Sequence, residues 1–136
     1  RKGDLVCALV AYRQALAITV DLCGEDHQNS ATAHINVGRI LASQGDLDVG
    51  IEEIQQALTV RKSTLGKQHV DVGRAYTILG SLHSMAGELQ AAAECHKKSV
   101  DILTNSLGAK NNETKSAKQK IQMANDEVAE KGVGNE

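Results

Sequence analysis

Five histidines and three cysteines are the side chains here best suited to hold a metal or attack a substrate. Their tightest grouping is Cys95 and His96, with His83 one short segment earlier. A zinc site takes three or four protein ligands in tetrahedral array, and this group offers no evident further member. The preferred reading is packing, with no metal. Cys7, Cys23 and Cys95 form no CxxC pair, so they read as reduced cytosolic thiols acting as small hydrophobes. Glu52 and Glu53 are the adjacent carboxylates, but neighbours on a helix point to different sides and cannot share a substrate. The chain has no G-x-S-x-G motif and no phosphate loop following a strand. These residues therefore imply no catalysis and no cofactor, and the question passes to what the scaffold displays.

The totals narrow the class. A net charge of −2 over 136 residues supplies no basic field for nucleic acid or a membrane surface. With two Tyr and no Phe or Trp, the core must be built from Ala, Leu, Ile and Val, which favours helices packed closely through small side chains. The apolar runs read as too short to span a membrane, and no signal-peptide pattern opens the chain. The first residue is Arg1 and not Met, which reads as a piece of a longer protein.

A shift of 42 residues superimposes the chain on itself. Gly3-Asp4-Leu5, Gly45-Asp46-Leu47 and Gly87-Glu88-Leu89 are in register, as are Gly24, Gly66 and Gly108. Ala8, Gly50 and Ala92 share a position, Gly38 matches Gly80, and His27, His69 and Asn111 coincide. Each period reads as two helices. Over 29–43 the apolar positions are Ala33, Val37, Ile40 and Leu41; Gly45 stops that helix, and Asp46 caps a second one over 47–64. His27 and His69 read as caps at the entry to each pair. The small residues at 38, 50, 80 and 92 let paired helices approach near the short end of the usual spacing.

Gly38, Gly45, Gly50 and Ala57, repeated as Gly80, Gly87, Ala92 and Ser99, resemble the signature of the tetratricopeptide repeat. The 42-residue period exceeds the family's usual length, and with Leu65-Gly66-Lys67-Gln68-His69 it resembles the kinesin-light-chain type. The loop proline of that type is missing at Gln28 and Val70, and its Asn-Asn pair is replaced by Ile35-Asn36 and Thr77-Ile78. The resemblance implies an all-α, right-handed superhelical solenoid of antiparallel helix pairs, about six helices in all. Residues 1–23 would be a half repeat, 24–65 and 66–107 full repeats, 108–131 a capping helix and 132–136 a disordered tail. His83 and His96 fall at positions the family fills with aromatics between paired helices, which implies a buried, hydrogen-bonded pair near Tyr76.

In such repeats the first helix of each pair lines a concave, ligand-binding side. The implied peptide-binding residues are Thr32, Ile35, Asn36 and Arg39, then Arg74, Thr77, Ile78 and Ser81, with Gln119 and Lys115 on the last helix. Arg39 and Arg74 would pair with acidic groups of the ligand. The expected function is a cytoplasmic, non-catalytic adaptor or cargo-type scaffold that binds a short peptide of a partner protein, acidic in character, with no nucleic acid or membrane involved. The alternative is an architectural segment that self-associates or stacks through its first helix, which is apolar on more than one face.

Overall fold

The computed structural model describes residues 2–25 and 27–134. Among them are six α-helices and no strand: α1 (Lys2–Cys23), α2 (Gln28–Ser43), α3 (Leu47–Leu65), α4 (Val70–Met85), α5 (Leu89–Leu107) and α6 (Asn112–Gly134). The chain divides into two compact units, residues 1–67 with α1 to α3 and residues 68–136 with α4 to α6. In the first unit α2 packs against both α1 and α3; in the second α5 packs against both α4 and α6.

The repeat positions account for the helix ends. Gly45 has φ of 91° and Gly87 has φ of 80°, so each closes its helix in the left-handed region where a side chain would be strained. At the starts, His27 Nδ1 accepts from the Asn29 N–H at 3.0 Å, and His69 Nδ1 accepts from the Asp71 N–H at 3.0 Å. Asn111, the third residue of that series, does the same through Oδ1 for Glu113 N–H at 2.9 Å. Asp46 and Glu88 hold the cap positions of α3 and α5 but accept no side-chain hydrogen bond, contrary to the cap expected of Asp46. A tight backbone turn, with Asp46 N–H donating to Leu41 carbonyl at 2.9 Å, forms that junction instead.

Small residues set the helix spacing. A Cβ placed on Gly38 would lie 2.9 Å from the Gly50 carbonyl oxygen and 2.8 Å from Ile54 Cδ1, so α2 and α3 touch almost backbone to backbone. Around this point Ala31, Val37, Leu41, Ile54 and Ala57 are buried. On the equivalent helix pair in the second unit, the space at Gly80 is filled by the His96 ring, whose Cε1 would be 2.8 Å from an added Cβ.

The first unit also contains a polar staple that the sequence did not reveal. His34 is buried, with Nε2 2.6 Å from Glu25 Oε1 in the α1–α2 loop and Nδ1 2.5 Å from Glu53 Oε2 on α3. Both contacts are donations only when the ring carries a proton on each nitrogen. One side chain thus ties two helices and a loop together.

The terminal helices depart from expectation. Helix α1 has a mean hydropathy of 1.6 over Gly3–Cys23 and no buried residue there, and by length and composition it could cross a membrane. The sequence reading missed this because Asp4, Arg13 and Asp21 break α1 into shorter apolar runs, whereas a span tolerates a few charges. Ile18 corresponds to the buried Val60 and Ile102, which accounts for part of this character. Val6 and Val10 do not follow that rule: their equivalents are exposed Asp48 and Gln90, and exposed Glu52 and Glu94. Cys7 and Cys23 are exposed as well, so they are not packing residues. Helix α6 runs on to Gly134, into the tail expected over 132–136; residues 135 and 136, like Arg1, lie outside the described residues.

Candidate functional site

In the second unit α4 and α6 flank a groove floored by α5. Arg74, Thr77 and Ile78 from α4 face Glu113, Ser116, Ala117 and Lys120 from α6, with Leu103 of α5 beneath. The groove continues past Ser81 and Ser84 on one wall and Met123, Ala124 and Glu127 on the other, with His96 as its floor. Lys120 lines both stretches.

Arg74 is already occupied. Its Nε donates to Glu113 Oε2 at 2.9 Å and its Nη2 to Glu113 Oε1 at 2.8 Å, while Nη1 donates to Asp71 Oδ1 at 3.0 Å. These hydrogen bonds raise the guanidinium pKa and hold the Glu113 carboxyl below its ordinary value. The planar fork of Arg74, expected to meet an acidic ligand, is engaged by Glu113 and Asp71 from within the chain. Asp71 and Glu113 are 42 residues apart and occupy the same position in successive first-turn segments, so the repeat itself brackets the arginine.

The cation left available is Lys120, half-buried and in no ion pair among the described residues. Below it His96 is buried, and its Nδ1 has no hydrogen-bond partner among the described residues. Burial, and then the charge of Lys120, push the imidazole pKa down, so the floor of the groove is neutral. His83 does not join His96; its Nδ1 lies 3.1 Å from Glu88 Oε1 at the turn after α4. The expected histidine pair is not formed. Cys95 is half-buried, and burial pushes its thiol pKa up, the reverse of what activates a nucleophile. Among the described residues no three His, Cys, Asp or Glu side chains converge as a metal site.

The remaining predicted residues separate by repeat position. Ile35, Thr77 and Gln119 form one series at 42-residue spacing. Ile35 is a core residue, 5% exposed, and so is not a surface that a ligand could reach. The Thr77 hydroxyl meets Ser99 Oγ on α5 and the carbonyl of Gly73, so its hydrogen bonds are spent inside the helix pair. Ile35 and Thr77 thus contact their paired helices, Thr77 while also lining the groove. Gln119 is exposed and does not line the groove. The series Asn36, Ile78 and Lys120 lies one residue further on, and both of its members in the second unit line the groove. Counting from Asn36 by 42 would have found Lys120. In the first unit Thr32 and Arg39 are exposed and Asn36 is half-buried; the Thr32 hydroxyl donates back to the Gln28 carbonyl at 3.3 Å. Ser81 likewise donates to the Thr77 carbonyl at 3.1 Å.

The comparisons with known proteins agree with this architecture. The family model described as tetratricopeptide repeat matches residues 30–105, and the chain belongs to that family. In fold it is similar to the nearly identical TPR-like repeats assigned to a kinesin light chain of Podosopora anserina, with a TM-score of 0.83 and 19% identity over 95% of this chain and 63% of that one. A variant of the same protein gives 0.82 and 20%, over 95% and 62%. BtubC (BKLC) from P. vanneervenii gives 0.75 and 19%, over 98% and 59%. The chain thus spans less than two thirds of each of these structures. Comparison with curated proteins gives no match. The fold is the all-α helix-pair repeat of tetratricopeptide solenoids, a fold that mediates protein–protein interaction.

Proposed function

We propose that this chain is a non-catalytic interaction module that holds a short extended segment of a partner protein in the α4–α6 groove, as a cytoplasmic adaptor or scaffold. The observation that carries this reading is the half-buried Lys120, without an ion pair among the described residues and central to a groove lined by serine hydroxyls and apolar side chains from Ala117 and Ala124 to Ile78, Leu103 and Met123. Such a lining suits an extended backbone, whose N–H and C=O groups need partners, while Lys120 takes an acidic side chain. Arg39, exposed on α2, is a second candidate for acidic contact. The test is a selection of displayed proteome-derived peptides on this chain, repeated with Lys120→Glu and with Arg39→Glu. Peptides lost with Lys120→Glu support the groove; peptides indifferent to it place binding elsewhere.

One observation favours a second reading, self-association or stacking through α1. Val6 is 55% and Val10 52% exposed at positions where α3 and α5 carry polar residues. Sedimentation over a range of concentrations separates the two readings, because a peptide-binding monomer keeps constant mass.

A further inference from the structure

Three acidic and basic side chains stand at seven-residue intervals along one face of α6: Glu113, Lys120 and Glu127. Seven residues are close to two helical turns, so the three charges form a row about 10 Å apart along the groove wall. The first is neutralised within the chain, since Arg74 grips Glu113 through two hydrogen bonds of 2.9 and 2.8 Å. Lys120 and the half-buried Glu127 have no ion pair among the described residues and share the same stretch of groove. What a ligand meets is therefore a neutral end, then a positive charge, then a negative one.

We propose, resting on the peptide-binding reading above, that the groove selects an extended segment carrying an acidic and a basic side chain three residues apart. An extended polyproline-type chain advances about 3.1 Å per residue with three residues per turn, so side chains three apart project to the same side about 9 Å apart. That matches the interval between Lys120 and Glu127. A β-type strand returns to the same side every two residues, at about 7 or 13 Å, and fits the interval less well. The hydroxyls of Ser84 and Ser116 offer partners to an exposed backbone, and that of Ser81, which donates to the Thr77 carbonyl, can still accept; a helical ligand would not need them. A second independent feature lies in the same stretch: His96 is 3% exposed, lines the groove, and its Nδ1 has no hydrogen-bond partner among the described residues. A ligand with acidic residues alone meets Glu127 as well as Lys120 and is opposed there.

The experiment is a peptide-display selection on the unaltered chain, on the charge-swapped Lys120→Glu/Glu127→Lys variant, and on Ser116→Trp, which obstructs the groove. The expected result is a selected motif with one acid and one base three positions apart, its charges exchanged on the swapped variant and the peptides lost with Ser116→Trp. Peptides lost with Ser116→Trp but lacking that spaced pair overturn the charge rule and leave the groove reading standing. No enriched peptide, or peptides unaffected by Ser116→Trp, overturn the groove reading itself. Independently of whether the variants fold, synthetic versions of a selected peptide are titrated against the unaltered chain. Replacing its acid or its base by Gln should each weaken binding by about three- to fivefold, the worth of a partly exposed ion pair; no loss at either position overturns the rule.

Discussion

Arg74 on α4 and Glu113 on α6 are locked by two parallel N–H···O bonds of 2.9 and 2.8 Å, with Asp71 holding the same guanidinium from its own helix at 3.0 Å. One of the two arginines expected to meet acidic ligands thus forms a strut between two groove walls. Both partners of the main pair are 46% exposed, so solvent screens it and its worth is about 1 kcal/mol at most.

The first prediction concerns that strut. Glu113→Gln should cost no more than about 1 kcal/mol in denaturant unfolding, because the pair is exposed. It should also free Arg74 as a second cation, and peptides selected on the variant should gain a second acidic residue. As for pH, the Glu113 carboxyl is held below its ordinary value of 4.5, chiefly by its hydrogen bonds with Arg74. The pair's contribution is thus complete above 4.5 and is lost as pH falls through the lowered value. The gap between the unfolding curves of the two proteins should be constant above pH 4.5 and narrow progressively as pH is lowered below it.

Gly38 gives a sharper stability test. Alanine is the better helix former by about 1 kcal/mol, so a loosely packed site would be stabilised by Gly38→Ala. Here the new methyl would meet the Gly50 carbonyl oxygen at 2.9 Å, a backbone atom that cannot turn aside. A net loss of about 1–2 kcal/mol is expected, the range of overpacked cores. At Gly80 the obstacle is the His96 ring, with Cε1 at 2.8 Å. Gly80→Ala should therefore be destabilising alone and largely rescued by His96→Ala, and a double-mutant cycle by chemical denaturation reads that coupling.

These two sites show how far the sequence carried. The 42-residue register revealed the helix pairs, the left-handed glycines and the histidine caps, because each is a local backbone requirement repeated at fixed spacing. Of the residues expected on the first helices, Arg74, Thr77, Ile78 and Ser81 line the α4–α6 groove, whereas Ile35 is buried. Ile35, expected at the ligand-binding side by resemblance, packs into the core, and Thr77 at the same repeat position divides itself between the groove and Ser99 on the paired helix; only tertiary packing decides this. Pairing across helices was equally hidden. Nothing local links Arg74 to Glu113, 39 residues away, or His34 to both Glu25 and Glu53.

His96 should make stability depend on pH. Burial, and then Lys120, lower its pKa in the folded chain from the ordinary 6.5. The folded state therefore resists taking up a proton that the unfolded chain accepts. Stability is unaffected above pH 6.5 and falls as pH drops below it, down to the lowered folded value. Thermal midpoints measured between pH 7.5 and 5.5 should fall more steeply for the native chain than for His96→Gln.

The His34 staple predicts a different loss. Removing the ring by His34→Ala leaves the Glu53 carboxylate, 21% exposed, without the partner 2.5 Å away, and unties the α1–α2 loop at Glu25. Leaving such a group unsatisfied costs about 1–3 kcal/mol. Glu25 is 57% exposed and can turn to water, so Glu25→Gln should cost less than Glu53→Gln. The loss of denaturant midpoint should be largest for His34→Ala, smaller for Glu53→Gln and smallest for Glu25→Gln; a loss for His34→Ala with none for either glutamate variant would mean that the ring acts through packing alone.

The last prediction separates two causes of the apolar surface on α1. Ile18 is 59% exposed at a repeat position that is buried in α3 and α5, so its apolar character follows from the helix-pair pattern. Val6 and Val10 sit where α3 has Asp48 and Glu52 and α5 has Gln90 and Glu94, so the pattern gives no reason for them to be apolar. Apolar residues grouped outside the repeat's own packing face mark an interaction surface. Val6→Glu/Val10→Glu restores the polarity of the equivalent positions and should leave the thermal midpoint nearly unchanged, because both side chains are already in water. If α1 mediates self-association, the variant should sediment as a monomer at concentrations where the native chain does not. Ile18→Glu should have the weaker effect. A native chain that is monomeric throughout, with all three proteins alike, would leave the α4–α6 groove as the interaction surface of this chain.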